Sequence, residues 1–197
     1  MLSTLANFKE AIGANTTAND SYFNNLLTRA SALLSRSIVG RILEEVEVSE
    51  FYDGSGTRDL NLRQGPIVSV SSVAAVSYDS SGNPVIETTY AADEYIPVGL
   101  RANDWKLPGY LQSNGGWKWV TGDKNYQVTY TVGWTTGSIP GELEEACILA
   151  ATFAWNQRKG AGLTSRDVGD GSVSFRTREE LNKELKSMLA GYMDLRY

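Results

Sequence analysis

The sequence contains no histidine and only one cysteine, Cys147, among 197 residues. Ser-His-Asp triads, Cys-His pairs and almost every zinc or copper site need residues that are missing, so most common hydrolase and metalloenzyme chemistry is excluded. A lone thiol forms no internal disulfide, and the fold must hold by packing, which suits a reducing compartment. Proline is sparse at 5 residues, and nowhere do about 18 apolar residues run together as a bilayer crossing requires. The first dozen residues carry Lys9 and Glu10 and lack the apolar core of a signal peptide. The expectation is a soluble, intracellular protein with no membrane partner. Positive charge is also short: 18 Lys+Arg stand against 23 Asp+Glu, net −5, so nothing drives general nucleic-acid binding by counterion release. No G-x-G-x-x-G or G-K-[ST] motif occurs, and neither a nucleotide nor any other cofactor is expected.

What is present, 42% hydrophobic and 21% charged residues, belongs to an ordinary globular protein with room for one domain or a domain carrying a sizeable insertion. Leu2, Leu5, Phe8 and Ile12 have helical spacing and end at Gly13. Thr17 and Asp20 resemble a capping box before the series Tyr22, Phe23, Leu26, Leu27, Ala30, Leu33, Leu34, which predicts a second helix stopping near Gly40. The pattern then alternates. Val46 and Val48 against Glu45 and Glu47, the turn residues Asp53-Gly54-Ser55-Gly56, and Leu60 and Leu62 predict a β-hairpin. Short strands are expected from Gly65-Pro66 to the turn cluster Ser80-Ser81-Gly82-Asn83-Pro84, and short strands with long loops over 90–119. Tyr126, Val128, Tyr130 and Val132 mark one face of a further strand.

Pro140, with Glu142, Glu144 and Glu145 in the first turn, opens a third helix that Arg158 and Lys159 close. Its face Leu143, Ala146, Cys147, Ala150, Ala151, Ala154 is flanked by Ile148, Leu149, Phe153 and Trp155, so it is apolar beyond one stripe and must be covered by the body of the protein or by a neighbouring subunit. A polar, glycine-containing loop over 160–171, a short strand over 172–176 and a last helix over 178–192 complete the chain. Helices, then strands, then helices predict an α+β fold. The strand-rich, mainly antiparallel segment is 41–134, and the helices of 1–40 and 135–197 are expected to form one compact unit.

Residues 41–60 hold six acids against two bases. Glu44, Glu45 and Glu47 are candidates for a surface that repels DNA, or for the wet side of a hairpin. Trp105, Trp117 and Trp119 offer a sugar-stacking platform, making a carbohydrate-binding β module the alternative reading, although aromatics of this kind more often form a core. A carboxylate pair such as Asp93 and Glu94 is formally open to glycosidase chemistry, but 23 acids supply such pairs by chance. No catalytic or metal residues are assigned, and an enzyme is not expected. Residues 158–197 hold eight bases and six acids against ten and seventeen before them. Arg158, Lys159, Arg166, Arg176 and Arg178 are therefore candidate contacts to a partner or a neighbouring subunit.

A capped helix containing Arg29-Ala30-Ser31 is followed by Phe51-Tyr52-Asp53-Gly54, Leu60-Asn61-Leu62 and Gly65-Pro66-Ile67 with Val70 and Val73. Val128-Thr129-Tyr130-Thr131-Val132-Gly133-Trp134 and Ile139-Pro140, opening a helix with Ala146, complete the series. This order resembles the phage head-tail connector, or adaptor, family across most of the chain. The resemblance implies a helical connector core and a virion structural protein, made in the host cytoplasm, that forms a ring under the portal protein after genome packaging. It implies twelvefold symmetry, attachment of a stopper or tail-completion protein below, and a channel through which DNA passes without being specifically bound. The chain departs from the compact helical connectors in its strand-rich segment. The expectation is that helices build the ring and the strand-rich segment decorates it or contacts adjoining virion proteins, with Gly160 to Phe175 and the last helix ordering against the portal or the next subunit.

Overall fold

In a computed structural model that describes residues 1–103, 106–135, 137–159, 165–168, 171–174 and 177–193, the first helical pattern forms α1, Leu5–Ala11. Thr4 caps it by accepting from the Asn7 N–H at 3.2 Å. Helix α2 spans Asp20–Leu33, but the capping box expected at Thr17 does not form. Asn19 is the N-cap, Thr17 offers only its carbonyl to the Asp20 N–H, and the Asp20 carboxylate is drawn to Lys9 Nζ at 2.9 Å. The helix continues as a π-helical segment, Leu34–Val39, and closes at Gly40, whose φ of +82° suits a residue without Cβ. Helix α3 spans Gly141–Lys159, with the Pro140 carbonyl accepting from Leu143 and Glu144 N–H groups. Helix α4, Arg178–Met188, opens on a capping box that the sequence reading did not identify. Thr177 Oγ1 accepts from the Glu180 N–H at 3.2 Å, and Glu180 Oε2 accepts from the Thr177 N–H at 2.8 Å.

These helices lie in one of two compact units, Met1–Gly40 with Thr135–Leu195. Small residues bring α2 and α3 together: Ser31 Oγ lies 3.6 Å from Cys147 Sγ and accepts from the Leu2 N–H at 2.8 Å. Leu143, Ala146, Cys147, Ala150 and Ala151 of the predicted α3 face are buried, while Ala154 is half-buried. Phe23 packs edge-on against Phe8 and Trp155, with ring centroids 5.4 and 5.1 Å away. Leu27, Leu34, Leu181 and Leu185 complete the interior, each burial contributing about 1.5–3 kcal/mol. The expected strand over 172–176 is observed as Gly171–Ser174, paired with Ser165–Val168 in a two-stranded antiparallel hairpin.

The second unit is Arg41–Trp134. Its strands are β1 (Val46–Gly54), β2 (Asp59–Asn61), β3 (Ile67–Tyr78), β4 (Pro84–Thr89), β5 (Tyr95–Val98), β6 (Tyr110–Ser113) and β7 (Gly122–Val132), so the late hairpin becomes β8 and β9. They form a four-stranded antiparallel sheet, β1-β7-β3-β4, and a three-stranded one, β2-β6-β5. The predicted β1–β2 hairpin is overturned. After Asp53 the chain crosses to the smaller sheet, because Gly56 N–H and Trp119 N–H bond the carbonyls of Trp119 and Thr57, each at 2.8 Å, and pin this turn to the segment before β7. β1 pairs instead with β7, whose apolar face is the longer one, placing Tyr52 opposite Tyr126 and Val48 opposite Tyr130. The short strands expected between Gly65-Pro66 and Ser80 are one 12-residue strand whose pairing with β7 shifts register twice.

Tyr126, Val128, Tyr130 and Val132 share the buried face of β7 as their alternation predicts. They meet Tyr52, Leu60, Ile67, Val73, Leu111 and Trp119 in one core. The points where the chain enters and leaves this unit are stitched together: Trp134 N–H donates to the Leu43 carbonyl at 2.9 Å and Glu45 N–H to the Trp134 carbonyl at 3.0 Å. Gly133 permits this, since its φ is +89° and a Cβ there would lie 2.5 Å from the Glu44 carbonyl oxygen. The observed architecture is α+β.

Candidate interaction surfaces

Among the described residues no three His, Cys, Asp or Glu side chains converge where a metal ion could sit, and no helix is long and apolar enough to cross a membrane. What the fold does build is a polar cluster inside the β unit, a series of exposed strand residues, and a groove on the helical unit.

The polar cluster lies on the core face of β1 and β7. The phenol oxygens of Tyr52 and Tyr130 are 2.7 Å apart, and both approach Glu50 Oε2, at 2.5 and 2.8 Å. N–H groups of Arg63 and Gln64 donate to these oxygens at 3.2 and 3.3 Å, and the Arg63 guanidinium lies 4.9 Å from the Tyr52 ring centroid. Burial pushes both phenols well above the usual tyrosine range, and the Glu50 carboxylate adds to the shift by disfavouring a second negative charge. Every polar tip is satisfied, so the cluster reads as structure rather than as a proton-transfer site.

The candidate acids have partners of their own. Glu45 pairs with Arg101 at 2.5 Å, Glu47 accepts from Ser71 Oγ at 2.6 Å, and Glu44 is half-buried where its backbone bridges to Trp134. Of the tryptophans named for a sugar platform, Trp105 lies outside the described residues. Trp119 is fully buried, its Nε1–H donating to the Arg58 and Leu111 carbonyls at 2.9 and 3.2 Å. Trp117 is half-buried, with one face stacked on Tyr90 at 5.2 Å and 8° between planes. Trp119 presents no free face for a sugar, because the ring belongs to the core. Burial raises the neighbouring Tyr90 phenol to about 12. All six residues of β4 are exposed, with Ile86 at 60%, and Val120 reaches 67% in the segment before β7.

On the helical unit, α2, α3 and α4 enclose a groove of about 610 Å³. Leu26, Leu33, Phe153 and Leu181 supply an apolar floor, and exposed Arg29, Arg36 and Arg178 stand at its rim. None of the three arginines makes an ion pair with a described residue. Asn182 Oδ1, also in the lining, is buried with no hydrogen-bond partner among the described residues. Of the basic residues picked from the sequence, Arg178 is on this rim. Arg158 stacks over Tyr22, another lining residue, at 4.7 Å from the ring centroid, and approaches Trp155 at 5.8 Å. The side chains of Lys159 and Arg166 and all of Arg176 lie outside the described residues, as does much of the 160–175 segment assigned an ordering role. Sequence reasoning missed Arg29 and Arg36, whose seven-residue spacing beside Leu26 and Leu33 was the available signal.

No family model and no curated protein matches the chain. Solved structures do share its fold over nearly its full length. A chain from the neck of an empty gene transfer agent particle, computed with C6 symmetry, superposes with a TM-score of 0.59 at 16% identity, covering 98% of this chain and 90% of that one. A chain from the virion of the native gene transfer agent particle gives the same TM-score at 14% identity and the same coverage.

Proposed function

We propose that this chain is a structural protein of a phage-like particle neck, an adaptor that assembles as a ring under the portal and carries the stopper or tail-completion protein. The observation that carries the reading is the likeness over 98% of the chain to chains from the neck and virion of gene transfer agent particles. The sequence series from Arg29-Ala30-Ser31 to Ile139-Pro140, which resembles the head-tail connector family, supports the adaptor part of the reading. The helical unit is the ring-building part and the β unit, with its exposed β4 and Val120, meets adjoining virion proteins. A net charge of −5 suits a channel that DNA crosses without sticking, with Glu44, Glu45 and Glu47 as candidate acids toward it. Arg158 and Arg178, together with Lys159, Arg166 and Arg176, are candidate contacts to the portal or the next subunit. The role is mechanical and requires no catalytic site.

Light-scattering mass over a concentration series, with negative-stain images, tests this directly. The expected result is rings with a central hole, twelvefold when seated on purified portal. A protein that remains monomeric at every concentration and does not bind portal overturns the adaptor reading.

A further inference from the structure

We propose that the groove between α2, α3 and α4 is a docking site for an acidic amphipathic segment of a partner protein. Apolar side chains of that segment would sit on the Leu26, Phe153 and Leu181 floor while its carboxylates meet Arg29, Arg36 and Arg178. This goes beyond the adaptor reading and does not depend on ring formation.

The groove's volume, about 610 Å³, falls in the range of sites that take several side chains. Charge complementarity selects the occupant. The helical unit spends acids elsewhere: Asp20 pairs with Lys9, Glu144 accepts from Ser3 and Asn7, Glu142 from Tyr192, and Glu180 caps α4. The three rim arginines are left without an ion-pair partner among the described residues, and a guanidinium binds a carboxylate through two parallel hydrogen bonds. Arg29 on α2 and Arg36 on the π-helical segment that continues it both line the groove, so carboxylates along one flank of a docked helix can meet them. A nucleic-acid backbone fits less well: it would meet the arginines but leave the apolar floor uncovered, and the chain carries no basic excess.

The test uses the full chain and a labelled synthetic peptide of about four helical turns, with leucines on one stripe and glutamates on both flanks. Two further probes are the same peptide with lysine for glutamate, and a short random-sequence DNA duplex. Fluorescence anisotropy should show the acidic peptide binding at least about tenfold tighter than its lysine counterpart, and weakening as salt rises. The double substitution Arg29→Glu and Arg36→Glu, both at exposed positions, should remove that preference while helical circular dichroism stays unchanged. Arg178→Gln serves as a milder check at the opposite wall. Equal affinity for the two peptides, binding to neither, displacement of the acidic peptide by the duplex, or unaltered binding by the double variant each overturns the proposal. Self-association of the parent that the double variant abolishes also overturns it, by giving the groove to a second copy. A parent that binds the acidic peptide with the expected preference, yet forms no rings and does not bind portal, would count against the adaptor reading alone.

Discussion

In the helical unit the α2–α3 contact is made by side chains with little bulk, Ser31 against Cys147 with alanines around them. In the β unit the core is built on large aromatics, four of which set their polar tips on partners: Trp119 on two carbonyls, Tyr126 on the Val120 N–H at 2.8 Å, Tyr52 and Tyr130 on Glu50. The first arrangement depends on smallness, since close approach leaves no room for an added methylene. The second depends on satisfied hydrogen bonds, since each phenol or indole removed from water needs its partner. The two units should therefore fail under different insults, the helical one under overpacking and the β one under truncation or a change of protonation.

The largest effect is expected for Trp119→Ala. Removing a fully buried indole costs about 3–5 kcal/mol and takes the indole donor from the Arg58 and Leu111 carbonyls, the first of which keeps the Ser113 N–H. Hydrogen exchange should show protection falling in β1, β3 and β7 while amides of α2 and α3 keep theirs. An equal loss in all of them would break the comparison by showing that both units unfold together. Next in size is Cys147→Leu, which inserts bulk where sulfur already lies 3.6 Å from Ser31 Oγ. It should destabilise by about 1–3 kcal/mol in denaturant titration, with protection lost in α2 and α3 and retained in β7. Full stability in this variant would show that the α2–α3 contact has slack.

The parts of this fold that were legible in the sequence are those in which periodicity alone carries the information. The α3 face from Leu143 to Ala151 repeats at three and four, and the β7 face from Tyr126 to Val132 repeats at two, so each could be assigned without knowing what it packs against. The β1–β2 hairpin misled because Asp53-Gly54-Ser55-Gly56 encodes a turn but not where the chain goes after it; pairing is decided by long-range contacts with β7 and with the segment at Trp119. Thr17 misled for a similar reason, since Lys9 competes for Asp20. The groove was hidden because its arginines come from helices nearly 150 residues apart in sequence. A local charge count singles out Arg158 and Arg178 and passes over Arg29 and Arg36.

The smallest perturbation that separates the two units is alkaline pH. Unfolded tyrosines lose their protons near pH 10, whereas Tyr52 and Tyr130 hold theirs well above that when folded, chiefly because burial disfavours the phenolate. Between the unfolded value and the raised folded one, the native state binds more protons than the unfolded state, so stability must fall as pH rises. The stabilisation is complete below about pH 10 and declines by about 1.4 kcal/mol per pH unit for each tyrosine that folding keeps protonated. Tyr90, raised to about 12, and Tyr95, also raised by burial, act in the same direction. Denaturation followed by β-unit hydrogen exchange at pH 9, 10 and 11 should show the decline beginning above pH 10. Tyr52→Phe should reduce its slope, since a phenyl ring has no proton to lose, although the variant also gives up the hydroxyl's contacts with Glu50, Tyr130 and the Arg63 N–H and starts from a lower stability. A slope that is unchanged in the variant would detach the alkaline sensitivity from this cluster. A decline already under way below pH 9 would mean that a group other than these phenols controls the β unit.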